Sequence, residues 1–218
     1  MYETEKQQVI RTALQLKEYH LIALAGGNVS LRIGSHILVT PSGMTYDSLV
    51  PDDIIVMTID GTIVEGERKP SVDTIALLYI FEKLPEVNAI IHTHQVYATA
   101  AGLVCDVLPC AVTTLPNATL GEVNVAPYSS AASLEMGIET VKYLNGKRAV
   151  ILKHHGVVTV GANLKEALYA AVYLEDAAQT FLVARSVGEV PVLNSEQIEA
   201  AVEVFRTYGQ SVKDEVKQ

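Results

Sequence analysis

A short apolar run that ends in two histidines places the tightest constraint on the fold of this chain. Residues 87–91 are predicted to form a buried strand, and His92-Thr93-His94 follows directly. Because side chains alternate across a strand, His92 and His94 project from the same face, about 7 Å apart along the backbone. Two imidazoles in a dry environment both need a polar partner. A shared metal ion meets that need better than two core histidines that each bond to the backbone.

A second histidine pair, His154-His155-Gly156, lies between two further predicted strands. Adjacent residues at a strand end face opposite ways, so only one of the two histidines can join the first pair. The spacing leaves this choice open, although Gly156 permits close backbone approach and slightly favours His155. A third ligand from this strand end would complete a metal centre with one position left for water or substrate, as a catalytic metal requires.

Composition limits the classes of protein to which the chain can belong. Its 218 residues fit a single domain, residues 1–218, that can bury a full core. A net charge of −9 argues against a nucleic-acid surface. No apolar run approaches the roughly 18 residues of a membrane span, and the first residues do not resemble a signal peptide. We expect Cys105 and Cys110 to be reduced and buried, and these features together indicate a cytoplasmic protein.

Periodicity and turn signals divide the chain into alternating helices and short strands. Helices are predicted over residues 5–22, 71–83, 95–103, 129–144 and 163–186, with a last helix from about residue 194 toward residue 210. Strands are predicted over residues 29–32, 36–40, 54–59, 62–64, 87–91, 107–112, 122–125, 149–152 and 157–160, with a loop between residues 112 and 122. Because several strands form hairpins, the pattern predicts an α/β fold with helices on both faces of a partly antiparallel sheet.

Small polar segments supply the remaining candidates. Asp73 begins a predicted helix, where it is either a first-turn acid that the helix dipole stabilises or a carboxylate beside the metal. Three segments could present N–H groups and hydroxyls to a phosphate, although each alone is more typical of an ordinary turn or cap: Gly26-Gly27-Asn28, Ser42-Gly43 and Ser71. His20 and His36 are assigned to structure.

Five motifs, in this order and spacing, resemble the class II sugar-phosphate aldolases and epimerases. They span nearly the whole chain and are Gly26-Gly27-Asn28-Val29-Ser30, Thr40-Pro41-Ser42-Gly43, Lys69-Pro70-Ser71-Val72-Asp73-Thr74, His92-Thr93-His94 and His154-His155-Gly156. The resemblance implies a three-layer α/β/α sandwich around a mixed, largely antiparallel sheet. It also implies a homotetramer with active sites at subunit interfaces.

The same resemblance implies roles for individual residues. It implies zinc, or alternatively manganese or cobalt, on His92, His94 and His155. It implies that Asp73 is the acid/base residue beside the metal. The substrate phosphate would be held by Asn28, Ser42, Gly43 and Ser71. Val72 stands where both branches of the family commonly have a phosphate-binding hydroxyl.

The sequence shares features with both branches of the family, the aldolases and the epimerases. Ser71-Val72-Asp73-Thr74 and Tyr208-Gly209-Gln210 resemble the epimerases, whose final tyrosine is an acid/base residue that reaches a neighbouring subunit. Asn117, however, stands at the place of the epimerases' catalytic aspartate, and an amide cannot exchange a proton at neutral pH. We therefore predict an aldolase that cleaves a small phosphorylated ketose resembling L-fuculose 1-phosphate to dihydroxyacetone phosphate and an aldehyde. Asp73 is its predicted base and Tyr208 its predicted proton donor. The alternatives are L-ribulose-5-phosphate 4-epimerase and a non-catalytic, adducin-like binding module.

Overall fold

A nine-stranded mixed sheet forms the centre of residues 1–206, the part of the chain that the computed structural model describes. Its order is β4-β3-β2-β1-β5-β9-β8-β7-β6, and neighbouring strands are antiparallel except for β7 and β8. The strands are β1 (Gly27–Ile33), β2 (His36–Val39), β3 (Ile55–Thr58), β4 (Ile63–Glu65), β5 (Ala89–Thr93), β6 (Val107–Leu108), β7 (Val123–Ala126), β8 (Ala149–Leu152) and β9 (Gly156–Gly161).

Helices cover both faces of this sheet. Those of the described residues are α1 (Glu3–Glu18), α2 (Thr74–Lys83), α3 (Val96–Val104), α4 (Thr114–Thr119), α5 (Leu134–Leu144), α6 (Leu164–Arg185) and α7 (Ser195–Arg206). Alternation along β5 separates two cores, since Ile91 packs with α1 and α6 while Ile90 packs with α2 and α5. The predicted three-layer α/β/α arrangement is therefore confirmed. None of the described helices combines the length and apolar character of a membrane span.

Several predicted element bounds are wrong for identifiable reasons. The expected loop after residue 112 contains α4, because Pro116 lies in the first turn of that helix, where a missing N–H costs no hydrogen bond. The strand predicted over residues 107–112 ends at Leu108, because Pro109 cannot donate to a ladder. The helix predicted over residues 129–144 begins only at Leu134, where the hydroxyl of Ser133 accepts from the Met136 N–H.

The histidine-bearing strand β5 lies in the middle of the sheet. It pairs with β1 on one side and β9 on the other, and the register places Asn28 and Val158 opposite His92. The strand runs two residues later than predicted, so that His92 is inside it and His94 lies just beyond its end. Cys105 and Cys110 are both free thiols. Cys110 is buried as predicted, but Cys105 is only half-buried, so that part of the prediction is wrong.

Candidate metal centre

Three histidine rings converge where β5, β8 and β9 meet. His92 comes from β5, His94 follows that strand, and His155 lies in the turn between β8 and β9. One ring nitrogen from each histidine lies within 4.8 Å of the other two. The Nε2 atoms of His92 and His94 are 3.1 Å apart. Two nitrogens bound to one zinc ion in tetrahedral geometry are separated by roughly 3.3 Å. The three rings are therefore spaced to share one cation.

The turn between β8 and β9 determines which of the two adjacent histidines joins the group. His154 has a φ of 62°, in the left-handed region, and turns the chain between the strands. Its exposed ring lies edge-on to Tyr128, with centroids 6.4 Å apart. The ring of His155 lies 4.7 Å from that of His92, measured between centroids. The structure thus brings His155, and not His154, to the other two histidines.

The electrostatics keep the three imidazoles neutral, which is the form that binds metal. Burial lowers the pKa of His92 to about 4, against the opposing effect of the Asp73 carboxylate. Burial also lowers the pKa values of His94 and His155. The Nδ1–H of His92 donates to the carbonyl oxygen of Val157 at 2.8 Å, which leaves the Nε2 lone pair for a ligand.

The unmet needs of these nitrogens fit a divalent cation. The Nδ1 atom of His155 is buried and has no hydrogen-bond partner. The lone pair of His92 Nε2 faces Nε2 of His94 at 3.1 Å. A cation between these atoms would bind a lone pair from each ring, and three neutral imidazoles are the protein ligands of one common class of catalytic zinc site.

Glycines allow the backbone to close around these rings. A Cβ on Gly156 would lie 2.3 Å from the carbonyl oxygen of Thr93 and 2.9 Å from Cδ2 of His94. A Cβ on Gly26 would lie 3.1 Å from Nδ1 of His94. The Gly26-Gly27 and His155-Gly156 motifs therefore provide the space in which His94 packs.

Asp73 stands beside the histidines. It is 5% exposed, and its Oδ2 lies 3.9 Å from Nε2 of His92. It occupies the N-cap position of α2, but its side chain makes no capping hydrogen bond. Instead, Oδ2 accepts from Nδ2 of Asn28 at 3.0 Å, and Oδ1 accepts from the N–H of Ala132 at 3.1 Å. The side chain therefore does not cap the helix, and it lies beside the three histidines.

The candidate phosphate-binding segments lie next to Asp73. The N–H of Ser42 donates to the carbonyl oxygen of Lys69, and the N–H of Ser71 donates to that of Thr40. These bonds join two loops that are some thirty residues apart in the chain. Nδ2 of Asn28 then donates to Oγ of Ser71 at 3.0 Å. Asn28, Ser42 and Ser71 are thus connected to one another through these two loops.

The other members of this region differ in exposure and backbone conformation. Gly43 has a φ of 70°, which glycine adopts without strain. Val72 is 62% exposed, between the buried Ser71 and Asp73. It presents an apolar side chain where the family commonly has a hydroxyl.

Tyr208 and Asn117 are the residues that distinguish the aldolase branch from the epimerase branch, and the structure describes only the second of them. Tyr208 lies outside the described residues. Asn117 lies in α4, and with its amide oriented to satisfy both groups it donates to the carbonyl oxygens of Thr113 and Ala201. It therefore links α4 to α7.

Sequence reasoning missed two main-chain groups of the centre. The N–H of Ala132 binds Asp73, and the carbonyl oxygen of Val157 orients His92. Every residue except proline carries a backbone N–H, and every residue carries a backbone carbonyl. No residue pattern could have identified these two.

Comparison with known proteins identifies the family. The family described as the class II aldolase and adducin N-terminal domain matches residues 7–182. The chain belongs to this family. It is 30% identical over 209 residues to L-fuculose phosphate aldolase of Escherichia coli, covering 95% of this chain and 97% of the relative. It is 29% identical over 212 residues to 5-deoxy-D-ribulose 1-phosphate aldolase of Bacillus thuringiensis, covering 96% and 99%.

Solved structures agree with this assignment. A structure of L-fuculose 1-phosphate aldolase matches with a TM-score of 0.88 and 32% identity, covering 92% of this chain and 95% of that one. The corresponding protein of Thermus thermophilus matches with a TM-score of 0.75 and 25% identity, covering 84% and 96%. The family and fold predicted from the five motifs are confirmed. Class II aldolases depend on a metal, and the three histidines form a group that could bind one.

Proposed function

We propose that this protein is a metal-dependent aldolase that reversibly cleaves a small phosphorylated ketose, resembling L-fuculose 1-phosphate, to dihydroxyacetone phosphate and an aldehyde. One observation carries the proposal: three neutral imidazoles converge within 4.8 Å, and a buried carboxylate lies 3.9 Å from one of them. Metal-dependent retro-aldol cleavage needs a cation that stabilises negative charge and a base close to it. An adducin-like binding module would need neither, so the site argues against that alternative.

Each residue of the centre has a defined task in this proposal. His92, His94 and His155 would hold a divalent cation, zinc in our proposal, with manganese and cobalt as alternatives. Such an ion supplies electrostatic stabilisation of the negative charge that bond cleavage leaves on the substrate. Asp73 would accept the proton of the hydroxyl at the bond that breaks. Tyr208 of a neighbouring subunit is the proposed proton donor.

The phosphate group of the substrate would bind along the joined loops. Asn28, Ser42, Gly43 and Ser71 would hold it. The donors would be the hydroxyls of Ser42 and Ser71, the N–H of Gly43 and the amide of Asn28, which also contacts Asp73. The N–H groups of Ser42 and Ser71 already donate to main-chain carbonyl oxygens. Because Val72 is apolar and exposed, it contributes no hydrogen bond to the anion. Binding would therefore depend on fewer hydroxyls than the family commonly uses.

We further propose a homotetramer with active sites at subunit interfaces. Large apolar side chains are exposed close to the centre: Leu24 is 84% exposed, Val96 is 66% exposed and Tyr128 is 63% exposed. The first two lie within two residues of Gly26 and His94, and Tyr128 contacts His154. A neighbouring subunit that covered them would enclose the exposed side of the metal centre. With two free thiols, the protein is proposed to work in the reducing cytoplasm.

A second candidate function is L-ribulose-5-phosphate 4-epimerisation, which uses the same cleavage followed by bond formation on the opposite face. Asp73 and Tyr208 favour this function, because the segments that contain them resemble those of the epimerases. The amide of Asn117 opposes it, because a second acid is absent at that place and the side chain is engaged between α4 and α7.

Three substrates separate these functions. Metal-loaded, full-length protein is incubated with L-fuculose 1-phosphate, 5-deoxy-D-ribulose 1-phosphate and L-ribulose 5-phosphate, with His94→Ala as the inactive control. Release of dihydroxyacetone phosphate and an aldehyde from either ketose 1-phosphate supports the aldolase. Conversion of L-ribulose 5-phosphate to D-xylulose 5-phosphate without release would replace it with the epimerase. No turnover of any of the three would contradict both proposals.

A further inference from the structure

The first turn of α3 begins immediately after His94 and Gln95. Gln95 occupies the N-cap position of this helix, but its side chain makes no capping hydrogen bond. An N-cap side chain normally accepts from the N–H group of the second or third helical residue, which are Tyr97 and Ala98 here. These N–H groups have no partner inside the helix. The start of α3 therefore needs an acceptor from another part of the chain.

Glu175, on α6, supplies this acceptor with both of its carboxylate oxygens. Oε1 accepts from the N–H of Tyr97 at 2.8 Å, and Oε2 accepts from the N–H of Ala98 at 2.9 Å. The two bonds join residues that are 78 and 77 positions apart in the chain. A carboxylate at a helix N-terminus also interacts favourably with the helix dipole. A single half-buried side chain of α6 therefore caps α3.

Gln95 joins the same segment to α6 from the interior of the protein. Its side chain is fully buried, and its Nε2 donates to the carbonyl oxygen of Ala171 at 3.2 Å. Its Oε1 accepts from the hydroxyl of Thr93 at 2.7 Å. Ala171 and Glu175 are four residues apart, so they lie on the same face of α6. Because Gln95 makes these inward contacts, a residue of another helix caps α3 in its place.

His94 lies between these attachments to α6. It follows Thr93, the last residue of β5, so it stands just outside the strand that holds His92. The ring of His92 is oriented by the carbonyl oxygen of Val157. Among the described residues, the ring of His94 lies within hydrogen-bond distance only of Nε2 of His92, its partner at the candidate metal centre. The position of the His94 ring therefore depends on the backbone segment that α6 holds.

We propose that Glu175 is a positioning residue for the metal centre. By capping α3, it holds the backbone beside His94 so that this ring can share a cation with His92 and His155. The inference rests on the metal centre of the proposed function and assigns it an outer support on α6. Loss of such supports typically weakens metal binding 10–100-fold. Because Gln95 would still join the segment to α6, we expect the lower end of that range for Glu175.

Zinc affinity, measured on full-length protein by competition with a chromophoric chelator, tests this inference without turnover. Glu175→Ala should weaken zinc binding about tenfold. Glu175→Gln should weaken it only about threefold, because the amide oxygen can still accept from one of the two N–H groups. The glutamine variant carries the test if the alanine variant does not fold. Asp176→Ala is the matched control, since it removes an exposed acid at the next position and should bind zinc like wild type.

A second cap variant separates positioning from a purely structural role. Asn163 caps the start of α6, where its Oδ1 accepts from the N–H of Glu166 at 3.0 Å. Asn163→Ala and Glu175→Ala should both lower the urea midpoint of the metal-free protein. Only Glu175→Ala should also weaken zinc binding and change the visible absorption spectrum of the cobalt-loaded protein, which depends on the coordination geometry.

Two kinds of result would overturn the inference. The first is a Glu175→Ala protein with a lowered urea midpoint but the zinc affinity and cobalt spectrum of wild type, which would make Glu175 a helix cap and nothing more. The second is an equal loss of zinc affinity in Asn163→Ala, which would trace the effect to general destabilisation. A wild-type protein that binds neither zinc nor cobalt would instead refute the metal centre of the proposed function, and the inference with it.

Discussion

Replacing Gly156 by alanine should disrupt the metal centre through steric contact alone. The added Cβ would lie 2.3 Å from the carbonyl oxygen of Thr93 and 2.9 Å from Cδ2 of His94. The first contact is with the backbone of β5, and Thr93 pairs with Val157 of β9, so it cannot move without disturbing that pairing. Overpacking of this kind typically lowers the free energy of unfolding by about 1–3 kcal/mol. Because the clash is with backbone that cannot move freely, we expect a loss at the upper end of this range, about 3 kcal/mol.

The second contact predicts a separate effect on metal binding. Displacement of the His94 ring should weaken metal affinity about 10–100-fold, the range observed when the outer supports of metal ligands are removed. Urea denaturation of the metal-free protein measures the stability, and competition with a chromophoric chelator measures the affinity. Gly188→Ala is the matched control, because its Cβ would meet nothing within 4 Å. A Gly156→Ala protein with the same urea midpoint and metal affinity as wild type would refute this steric account.

Three further predictions concern pH, the base and the phosphate. Since burial lowers the pKa of His92 to about 4, below that of an unfolded histidine, the unfolded state binds more protons as the pH falls. The free energy of unfolding of the metal-free protein, measured by urea denaturation, should therefore fall by about 3 kcal/mol between about pH 6.5 and pH 4. An unchanged free energy of unfolding across that window would contradict this. Asp73→Asn should lower kcat about 10²–10⁴-fold without changing metal content, and full activity would exclude Asp73 as the base. Val72→Ser should tighten inorganic phosphate binding about threefold in calorimetry, and an unchanged Kd would show that the side chain does not face the anion.

The central part of the site could be predicted from the sequence because it depends on local periodicity. Alternation along one strand places His92 and His94 on the same face, and this holds although β5 begins at Ala89 and not at residue 87. The five ordered motifs supplied the family and the sheet of mixed direction. The helix α4 was missed because Pro116 is typical both of a loop and of the first turn of a helix.

Other features depend on contacts that no local pattern encodes. Spacing alone leaves the choice between His154 and His155 open, although the resemblance implies His155. The fold of the turn supplies the physical reason, a left-handed residue that is not a glycine. The contact of Asn28 with Asp73 joins two residues that are 45 positions apart in the chain. The Ala132 N–H is a main-chain group with no residue signature. Long-range side-chain pairing therefore sets the roles within a site whose members the motifs already indicate.

Metal content is the most direct test of the central claim. Full-length protein is stripped with a chelator, reloaded with zinc or manganese, freed of excess ion and analysed by atomic emission, alongside single alanine variants of four histidines. We expect about one ion per wild-type chain, a loss of that ion in the variants of His92, His94 and His155, and full retention in His154→Ala. A folded protein that retains its ion without any of those three side chains, or that loses it only when His154 is replaced, would contradict the account.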